Sequence, residues 1–373
     1  MKGYVRKRGS KWSYTVDIGR DPITGKRKQK TKGSFNTQKE AEQALNEVIY
    51  EFNKGIYIEP NKIMVKDFAN EWIEGYKYNL RDTTAEQYIS KINKWIIPLI
   101  GHYKIQDLKP VHAQNFSGQL LANMKPSTAH KVYAITKLIV KHAVQLELIT
   151  RNPFENVSIK DQKKKVETWT FEEMNHFLET VKMHNEFFYR VFATAVFTGM
   201  RKGEVLGLRR IDVDLSNKKL SLKQSLTETK EKGVQVSDLK TPSSYRQVAI
   251  DDFLISIIKE QIHKNNEMKL KLGSEYQDYG LIFCNVDGAP YRPTSINRPF
   301  RKYVELSGVP KLRFHDLRHT HATLLLEMNV NPKIVADRLG HSSVKITLDT
   351  YSHASLGMQQ NVADQFSKRA LKA

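Results

Sequence analysis

The chain has 373 residues, of which 40% are hydrophobic and 27% are charged, and its formal net charge is +20. This length exceeds one ordinary domain and predicts two or three domains, while the apolar content excludes disorder of the whole chain. A positive charge of this size favours a negatively charged partner, for which nucleic acid is the commonest.

The single cysteine, Cys284, excludes an intrachain disulfide and a zinc site of four cysteines. It follows Leu281, Ile282 and Phe283, which predicts a small hydrophobic side chain inside a core. No stretch approaches the ~18 apolar residues of a membrane span, and the basic N-terminus lacks the apolar run of a secretory signal. We therefore expect the protein to work in a reducing cytoplasm.

The first 35 residues carry eleven Lys or Arg residues against two Asp residues. Alternating apolar residues and flanking turn residues predict three antiparallel strands, at Tyr4–Arg8, Trp12–Ile18 and Lys26–Gly33. From Thr37 the apolar period becomes helical and continues to about Gly55, so one helix can cover the aromatic face of the sheet.

The third strand is almost entirely basic or polar, which suits its exposed face to phosphate groups and to base edges in a major groove. If lysines only kept an edge strand soluble, one or two charges would be enough. The density of charge favours nucleic-acid binding by five residues: Lys26, Arg27, Lys28, Lys30 and Lys32.

A linker is predicted at Gly55–Ile63, and the chain from Met64 to about Pro153 reads as a small helical bundle. Its second helix is expected to stop at Pro98 and Gly101, because proline removes a backbone donor and glycine favours a helix end. The apolar stripes predict a core, and the remaining surface is mixed and basic, as for a bundle clamped on a duplex. The charged run at Lys160–Lys165 is interpreted as a hinge.

The largest domain begins at Thr170–Glu173, which has the pattern of a capping box. A helix from about Glu186 should end at Gly199, where a sharp turn presents Arg201. Three further segments have strand character and are expected to form a small sheet: Lys218–Lys223, Val234–Leu239 and Tyr245–Ile250. The last hairpin of this sheet would be Lys240–Ser244, with Lys240 at the turn.

The last quarter of the chain carries groups that suit phosphodiester chemistry. His315 and Arg318 lie in HDLRHTHATLL, His341 in LGH, and Tyr351 in DTY. Arginine and histidine can hold or protonate phosphate oxygens, and a tyrosine oxygen can attack phosphorus. With Arg201 and Lys240 added, no bound metal is required for this chemistry.

These residues resemble the tyrosine recombinases of the phage integrase type, because TGMRKGEVLGL, LKTPSSYRQV, HDLRHTHATLLL and LGHSSVKITLDTYSH occur in the order of that family. The resemblance implies that Arg201 is the first catalytic arginine and Lys240 the hairpin lysine. It also implies that His315 and Arg318 are the HxxR pair, that His341 is the following histidine and that Tyr351 is the nucleophile. Glu204 matches an acidic position with a supporting role.

The implied fold class is α+β and multidomain. A three-stranded sheet with a helix (residues 1–58) would bind arm-type DNA, a helical SAM-like bundle (64–157) would bind core-type DNA, and a mainly helical domain with a small antiparallel sheet (168–373) would carry catalysis. The implied activity is integration or excision of a mobile element through a 3′-phosphotyrosyl intermediate, with no metal, ATP or other cofactor.

Double-stranded attachment-site DNA and three other copies of the chain are the partners that the resemblance implies. An excisionase and a host DNA-bending protein would be accessory partners in a bacterial host. The segment Gly357–Ala373 has apolar residues at helical spacing and either docks on an adjacent subunit of a tetramer or packs on its own domain. His319 is interpreted as a residue that packs or bonds locally, and His321 is expected to face another helix.

Three other functions agree with parts of the sequence. A type IB topoisomerase shares the catalytic groups, but the basic N-terminal sheet and the residues after Tyr351 favour recombination. A DNA-binding regulator without activity would not need Arg201, Arg318 and Tyr351 together. An RNA-modifying enzyme would need a base pocket, which no pattern in the sequence indicates.

Deletion of residues 1–58 should weaken binding to arm-type DNA and flatten its dependence on salt, because each phosphate contact contributes roughly 0.9 to the slope of log K against log salt. Cleavage at a core site should survive. Salt titrations of both proteins on both DNAs measure the effect. Unchanged binding to every DNA would rule out a separate N-terminal DNA-binding domain.

Overall fold

The basic N-terminal segment forms the predicted sheet in a computed structural model of the chain. The structure describes residues 3–20, 25–54, 57, 61–160, 166–239, 241–351 and 367, with only the backbone of residues 350 and 351. Strands β1 (Gly3–Arg8), β2 (Lys11–Arg20) and β3 (Arg27–Phe35) are antiparallel in the order β1-β2-β3.

Helix α1 (Gln38–Asn53) covers one face of this sheet. Thr37 and Glu40 form a capping box at its start, so two backbone donors that the helix leaves open are satisfied. Tyr14 and Val16 of β2 pack against Leu45 and Val48 of α1 in a small core. The predicted sheet-on-helix arrangement is therefore confirmed.

A helical bundle follows, with a core of its own. Its helices are α2 (Val65–Tyr76), α3 (Asp82–Lys91), α4 (Ile97–Ile100), α5 (Pro110–Asn123) and α6 (Pro126–Gln145). Phe116, Tyr133 and Phe154 contact one another in this core, and the Tyr133 hydroxyl donates to the Phe154 carbonyl at 3.1 Å.

The expected stop was wrong at Pro98 and is confirmed at Gly101, which is the C-cap residue of α4. Between α3 and α4 the chain forms a π-helix, Ile92–Ile96, in which the Ile97 N–H donates to the Ile92 carbonyl five residues back. Pro98 then lies in the first turn of α4, where a missing N–H costs little. The helical path therefore continues to Ile100.

The rest of the chain, Lys163–Ala373, forms a compact unit separate from Met1–Gln162. Its helices are α7 (Phe171–His184), α8 (Glu186–Thr198), α9 (Lys202–Leu206), α10 (Asp252–Leu272), α11 (Asn297–Ser307), α12 (Asp316–Glu327), α13 (Pro332–Leu339) and α14 (Val344–Tyr351). The predicted capping box of α7 is present at Thr170 and Glu173. None of the helices in the described part of the chain is long and apolar enough to cross a bilayer.

Interlocking aromatic side chains fill the centre of this unit. Phe177, Phe192 and Phe300 are at most 2% exposed and lie 5.3 to 5.7 Å apart between ring centroids. Cys284 belongs to the same core and is 5% exposed, which confirms that it is a buried hydrophobic residue. Val205 of α9 and Leu317 of α12 belong to the same core, so it supports the helices that follow Arg201 and His315.

The small sheets differ from the prediction. Strands β4 (Val213–Asp214), β5 (Lys219–Leu222) and β8 (Arg246–Ala249) form one sheet, and β6 (Gln224–Thr229) pairs with β7 (Gly233–Asp238) in another. The predicted hairpin between β7 and β8 was wrong. The hydrogen bonds of β7 are made with β6, a strand that was not predicted, while β8 pairs with β5. Pro242, which has no N–H, begins a 3-10 turn that separates β7 from β8.

A buried polar contact joins α12, α13 and α8. Arg338 of α13 donates from Nε to Nε2 of His321 at 3.0 Å and from Nη2 to the Phe197 carbonyl at 3.0 Å. His321 therefore faces another helix, as expected. Burial of the ring and the charge of Arg338 lower the pKa of His321 to about 3.

Because the pKa of His321 is lowered in the folded protein, the free energy of unfolding is expected to decrease in acid. The unfolded His321 takes up a proton near pH 6.5, whereas the folded ring resists protonation until about pH 3. The stabilisation is therefore complete above pH 6.5 and declines as the pH falls, by at most about 1.4 kcal/mol per pH unit from this residue. His321→Gln keeps an acceptor for Arg338 and cannot titrate.

Urea unfolding between about pH 7 and pH 5 should therefore give a shallower decline in the free energy of unfolding for His321→Gln than for the wild type. Other histidines with lowered pKa values contribute to both curves, so the difference between the curves isolates His321. Parallel curves would show that His321 does not contribute to the acid sensitivity.

Candidate active site

Arg201 is presented by the turn that ends α8. Gly199 has a φ of 65°, and a Cβ there would come within 2.7 Å of the His321 ring, so glycine is required for both conformation and space. The Arg201 side chain is 34% exposed, and its Nη1 donates to Glu204 Oε1 at 2.7 Å. Its backbone N–H donates to the other carboxylate oxygen at 2.9 Å. Glu204 thus binds one edge of the Arg201 guanidinium, and the rest of the group remains accessible to solvent.

Arg318 is tied to the same turn. It is 3% exposed, and its Nη1 donates to the Gly199 carbonyl at 2.9 Å. His315 precedes α12 as its N-cap residue but has helical backbone angles, so the expected i, i+3 relation with Arg318 holds. The turn after α8 and the start of α12 therefore bring Arg201, Arg318 and His315 into one region.

The two predicted histidines lie within the electrostatic range of both arginines. Partial burial, the neighbouring His319 and the charges of Arg318 and Arg201 lower the pKa of His315 to about 4. Burial and the same two arginines lower the pKa of His341 to about 4. Both rings are consequently neutral near pH 7, and each keeps one donor and one acceptor nitrogen.

The turn after α13 places His341. Gly340 has a φ of 70° and ends the helix, and His341 Nδ1 lies 2.8 Å from Thr347 Oγ1 of α14. Tyr351 is the last residue of α14, four positions after Thr347 and on the same face of that helix. Its side chain lies outside the described residues.

Lys240 also lies outside the described residues. The segment that follows it approaches the turn of His341, since a Cβ at Gly340 would come within 2.8 Å of the Ser243 carbonyl oxygen. Ser244 Oγ lies 3.5 Å from Arg201 Nη1. The residues just after Lys240 are therefore neighbours of both Arg201 and His341.

Arg246 was missed by the sequence reasoning. Its side chain is 5% exposed and forms an ion pair of 3.0 Å with Glu204, the residue to which a supporting role was assigned. The only signal in the sequence was its place within LKTPSSYRQV, which does not distinguish it from the other 59 Lys and Arg residues. The contact spans 42 positions and becomes visible only in the fold.

The basic residues of β3 do not all share one face. Lys30 and Lys32 lie opposite Val16 and Tyr14, on the side that α1 covers, and Lys30 Nζ stands 4.9 Å from the ring centre of Tyr57. Arg27 forms an ion pair of 2.6 Å with Asp17. Lys26 is exposed, and Lys28 is partly buried.

The open face of the sheet carries a different set of side chains. Thr15 pairs with Tyr4 and Thr31, and Asp17 pairs with Gln29, so these residues share the face away from α1. Arg6 lies beside them, opposite Ser13. Tyr4, Arg6, Gln29 and Thr31 are exposed. Sequence reasoning missed this set because the positions of the bulges in β2–β3 pairing decide which residues share a face.

Three family models match the chain. The phage integrase family model covers residues 166–357, the arm DNA-binding domain model covers 4–52, and the model of the N-terminal SAM-like domain of phage integrases covers 64–121. The first match alone includes 192 of the 373 residues.

Curated relatives match over nearly their full length. A tyrosine recombinase XerC-like protein of Caldanaerobacter subterraneus is 28% identical, with 97% of each chain covered. The ICEBs1 integrase of Bacillus subtilis is 26% identical, with 94% of this chain and 96% of the relative covered.

Solved structures share the fold. A Tn1549 transposon integrase in complex with circular intermediate DNA has a TM-score of 0.68 at 19% identity, and covers 82% of this chain and 99% of its own. A lambda integrase tetramer bound to a Holliday junction has a TM-score of 0.58 at 16% identity, with 93% and 95% covered. Together with the family match, these findings show that the chain belongs to the phage integrase family and is a site-specific tyrosine recombinase, an enzyme that cleaves and rejoins DNA.

Proposed function

We propose that Tyr351 is the nucleophile with which this recombinase opens double-stranded DNA at attachment sites, in order to integrate or excise a mobile element. The observation that carries this proposal is the convergence of Arg201, Arg318, His315 and His341, in which the two arginines lower the pKa of both histidines. Two fixed guanidinium groups beside two neutral imidazoles suit a phosphodiester, whose transition state gains a second negative charge, better than a metal cation or a neutral substrate.

In the proposed reaction the Tyr351 oxygen bonds to a backbone phosphorus, and the bond from phosphorus to the 5′ oxygen breaks. Arg201 and Arg318 stabilise the added charge on the non-bridging oxygens of the five-coordinate transition state. Since arginine does not give up its proton at working pH, Lys240 is the proposed donor to the departing 5′ oxygen. The resulting 3′-phosphotyrosine preserves the bond energy, so a second 5′ hydroxyl can reverse the step without ATP.

The histidines act as neutral groups in this scheme. His315 accepts the tyrosine proton or a hydrogen bond, and His341 donates to a non-bridging oxygen. Their low pKa values keep both rings neutral near pH 7, so each ring has an acceptor nitrogen that an imidazolium lacks. The bond between His341 and Thr347 fixes the ring relative to the helix that ends at Tyr351.

We propose three domains for the chain: residues 1–58 for arm-type DNA, 64–157 for core-type DNA and 168–373 for catalysis. In the first domain, the open face with Tyr4, Arg6, Gln29 and Thr31 would enter the major groove. Lys26, Arg27, Lys28, Lys30 and Lys32 would contact phosphates along the edge formed by β3. Exposure of the first set and the edge position of the second support this division.

The proposed assembly is a tetramer on DNA in the bacterial cytoplasm, with an excisionase and a host DNA-bending protein as accessory partners. The solved lambda integrase is a tetramer bound to a Holliday junction, and that likeness motivates the assembly. The segment 357–373, proposed to dock in cis or in trans, lies outside the described residues apart from residue 367.

A nicked duplex that carries the target site, and from which the short fragment with the new 5′ hydroxyl dissociates after cleavage, should trap a covalent complex with the wild type. Tyr351→Phe should form none, because phenylalanine has no nucleophilic oxygen. Arg318→Ala should lower the trapping rate by about 100-fold or more, as expected for the loss of a charge-stabilising donor. Denaturing gel electrophoresis measures the covalent band.

Tyr279→Phe is a matched control, because Tyr279 is an exposed tyrosine of the same unit. It should trap DNA at the wild-type rate. Each variant should also retain target binding in a mobility-shift assay. A covalent band of normal intensity with Tyr351→Phe would mean that another residue is the nucleophile.

A further inference from the structure

Arg246 has four hydrogen bonds to three separate parts of the catalytic unit. Its Nη2 and Nη1 donate to the two oxygens of Glu204 at 3.0 and 3.3 Å. Its Nε donates to the Arg338 carbonyl at 2.7 Å, and its Nη1 also donates to the Ser244 carbonyl at 3.1 Å. A single side chain thus contacts α9, α13 and the turn before its own strand.

Each of these contacts lies next to a residue of the proposed site. Glu204 binds the guanidinium and the backbone N–H of Arg201. The Arg338 carbonyl is one of the last carbonyls of α13, which lack partners inside the helix, and His341 follows three residues later. Ser244 belongs to the turn that follows Lys240. Arg246 is therefore the common neighbour of three elements that carry proposed site groups.

Charge balance gives Arg246 a second effect. Glu204 is 2% exposed, and although burial opposes its ionisation, Arg246 and Arg201 offset this and its pKa is lowered. Two guanidinium charges against one carboxylate leave one net positive charge. Without Arg246, the carboxylate would cancel the charge that Arg201 offers to a phosphate.

Only an arginine side chain can donate hydrogen bonds to Glu204, to the Arg338 carbonyl and to the Ser244 carbonyl at the same time. The guanidinium is a planar fork that can bind both oxygens of a carboxylate while its Nε donates elsewhere. A lysine would keep the charge but has a single nitrogen at the end of a flexible stem. Replacement of Arg246 by lysine therefore tests the hydrogen-bond geometry while the positive charge is kept.

We propose that Arg246 is a positioning residue for DNA cleavage, which holds Glu204 and through it Arg201 in the orientation that binds the scissile phosphate, and which fixes the turn of His341 to the turn that follows Lys240. This inference rests on the proposed roles of Arg201 and His341. Arg246 itself does not contact the reacting atoms.

Single-turnover cleavage of the nicked duplex tests the proposal with full-length protein. Arg246→Lys should bind the target with a Kd close to that of the wild type and cleave at least about tenfold more slowly, because a small misplacement of a charge-binding group is costly in rate. Arg246→Gln, which also removes the charge, should cleave more slowly still. Mobility-shift titration gives the Kd separately from the cleavage rate.

Arg190→Lys is the matched control. Arg190 is also a buried arginine with carboxylate partners, Glu186 and Glu260, and it sits at the opposite end of α8 from Gly199. Its replacement removes a comparable set of hydrogen bonds and should leave the cleavage rate within about twofold of the wild type, as for independent sites. Thermal melting of both variants shows whether they remain folded to the same degree.

A substrate with a methyl group in place of one non-bridging oxygen at the scissile phosphate provides a readout that a purely structural defect would not move. This phosphate has no negative charge for Arg201 to hold, so the defect of Arg246→Lys should shrink on it. A defect of equal size on both substrates, or an Arg246→Lys cleavage rate equal to the wild type, would overturn the proposal. Failure of the wild type to form any covalent complex would instead contradict the proposed function.

Discussion

The buried carboxylate of Glu204 is the group on which the geometry of the site depends. An ionised carboxylate that is 2% exposed must have charged partners, and two guanidinium groups, from Arg201 and Arg246, meet this requirement. Because those arginines come from the turn after α8 and from β8, the cost of leaving Glu204 unpaired holds the two elements together. The hydrogen bond from Arg246 Nε to the Arg338 carbonyl extends the same constraint to α13 and so to His341.

Positive charge dominates the rest of the site. Arg201 and Arg318 lower the pKa of His315 and His341, so the imidazoles stay neutral and the cationic groups are the arginines, which cannot lose their protons. An arriving phosphate would supply the missing negative charge and raise both histidine pKa values. The free site is thus poised for an anion, and the strongly positive chain as a whole favours the encounter with DNA.

The N-terminal sheet carries different side chains on its open face and on its third strand. Its open face presents Tyr4, Arg6, Gln29 and Thr31, whose hydrogen-bonding and aromatic groups suit base edges. Most of its lysines lie on the edge strand β3 or on the side of the sheet that faces α1. From there their long side chains can reach phosphates, but they do not lie on the open face that is proposed to enter a groove. The number of basic residues in a strand therefore does not show which side chains lie on the open face of the sheet.

The sequence by itself determined the features that depend on neighbouring residues: the N-terminal strands by their alternation, the start of α7 by Thr170 and Glu173, and the turn at Gly199 that presents Arg201. Ordered motifs also identified the candidate site residues. Only the tertiary structure decided that β8 pairs with β5, that Pro98 continues a helical path, and that Glu204 meets Arg246 across 42 positions. Periodicity and cap residues within a short stretch of sequence indicate burial and helix ends. Pairings between distant parts of the chain depend instead on which of several possible partners forms a given hydrogen bond, and a short stretch of sequence does not contain that information.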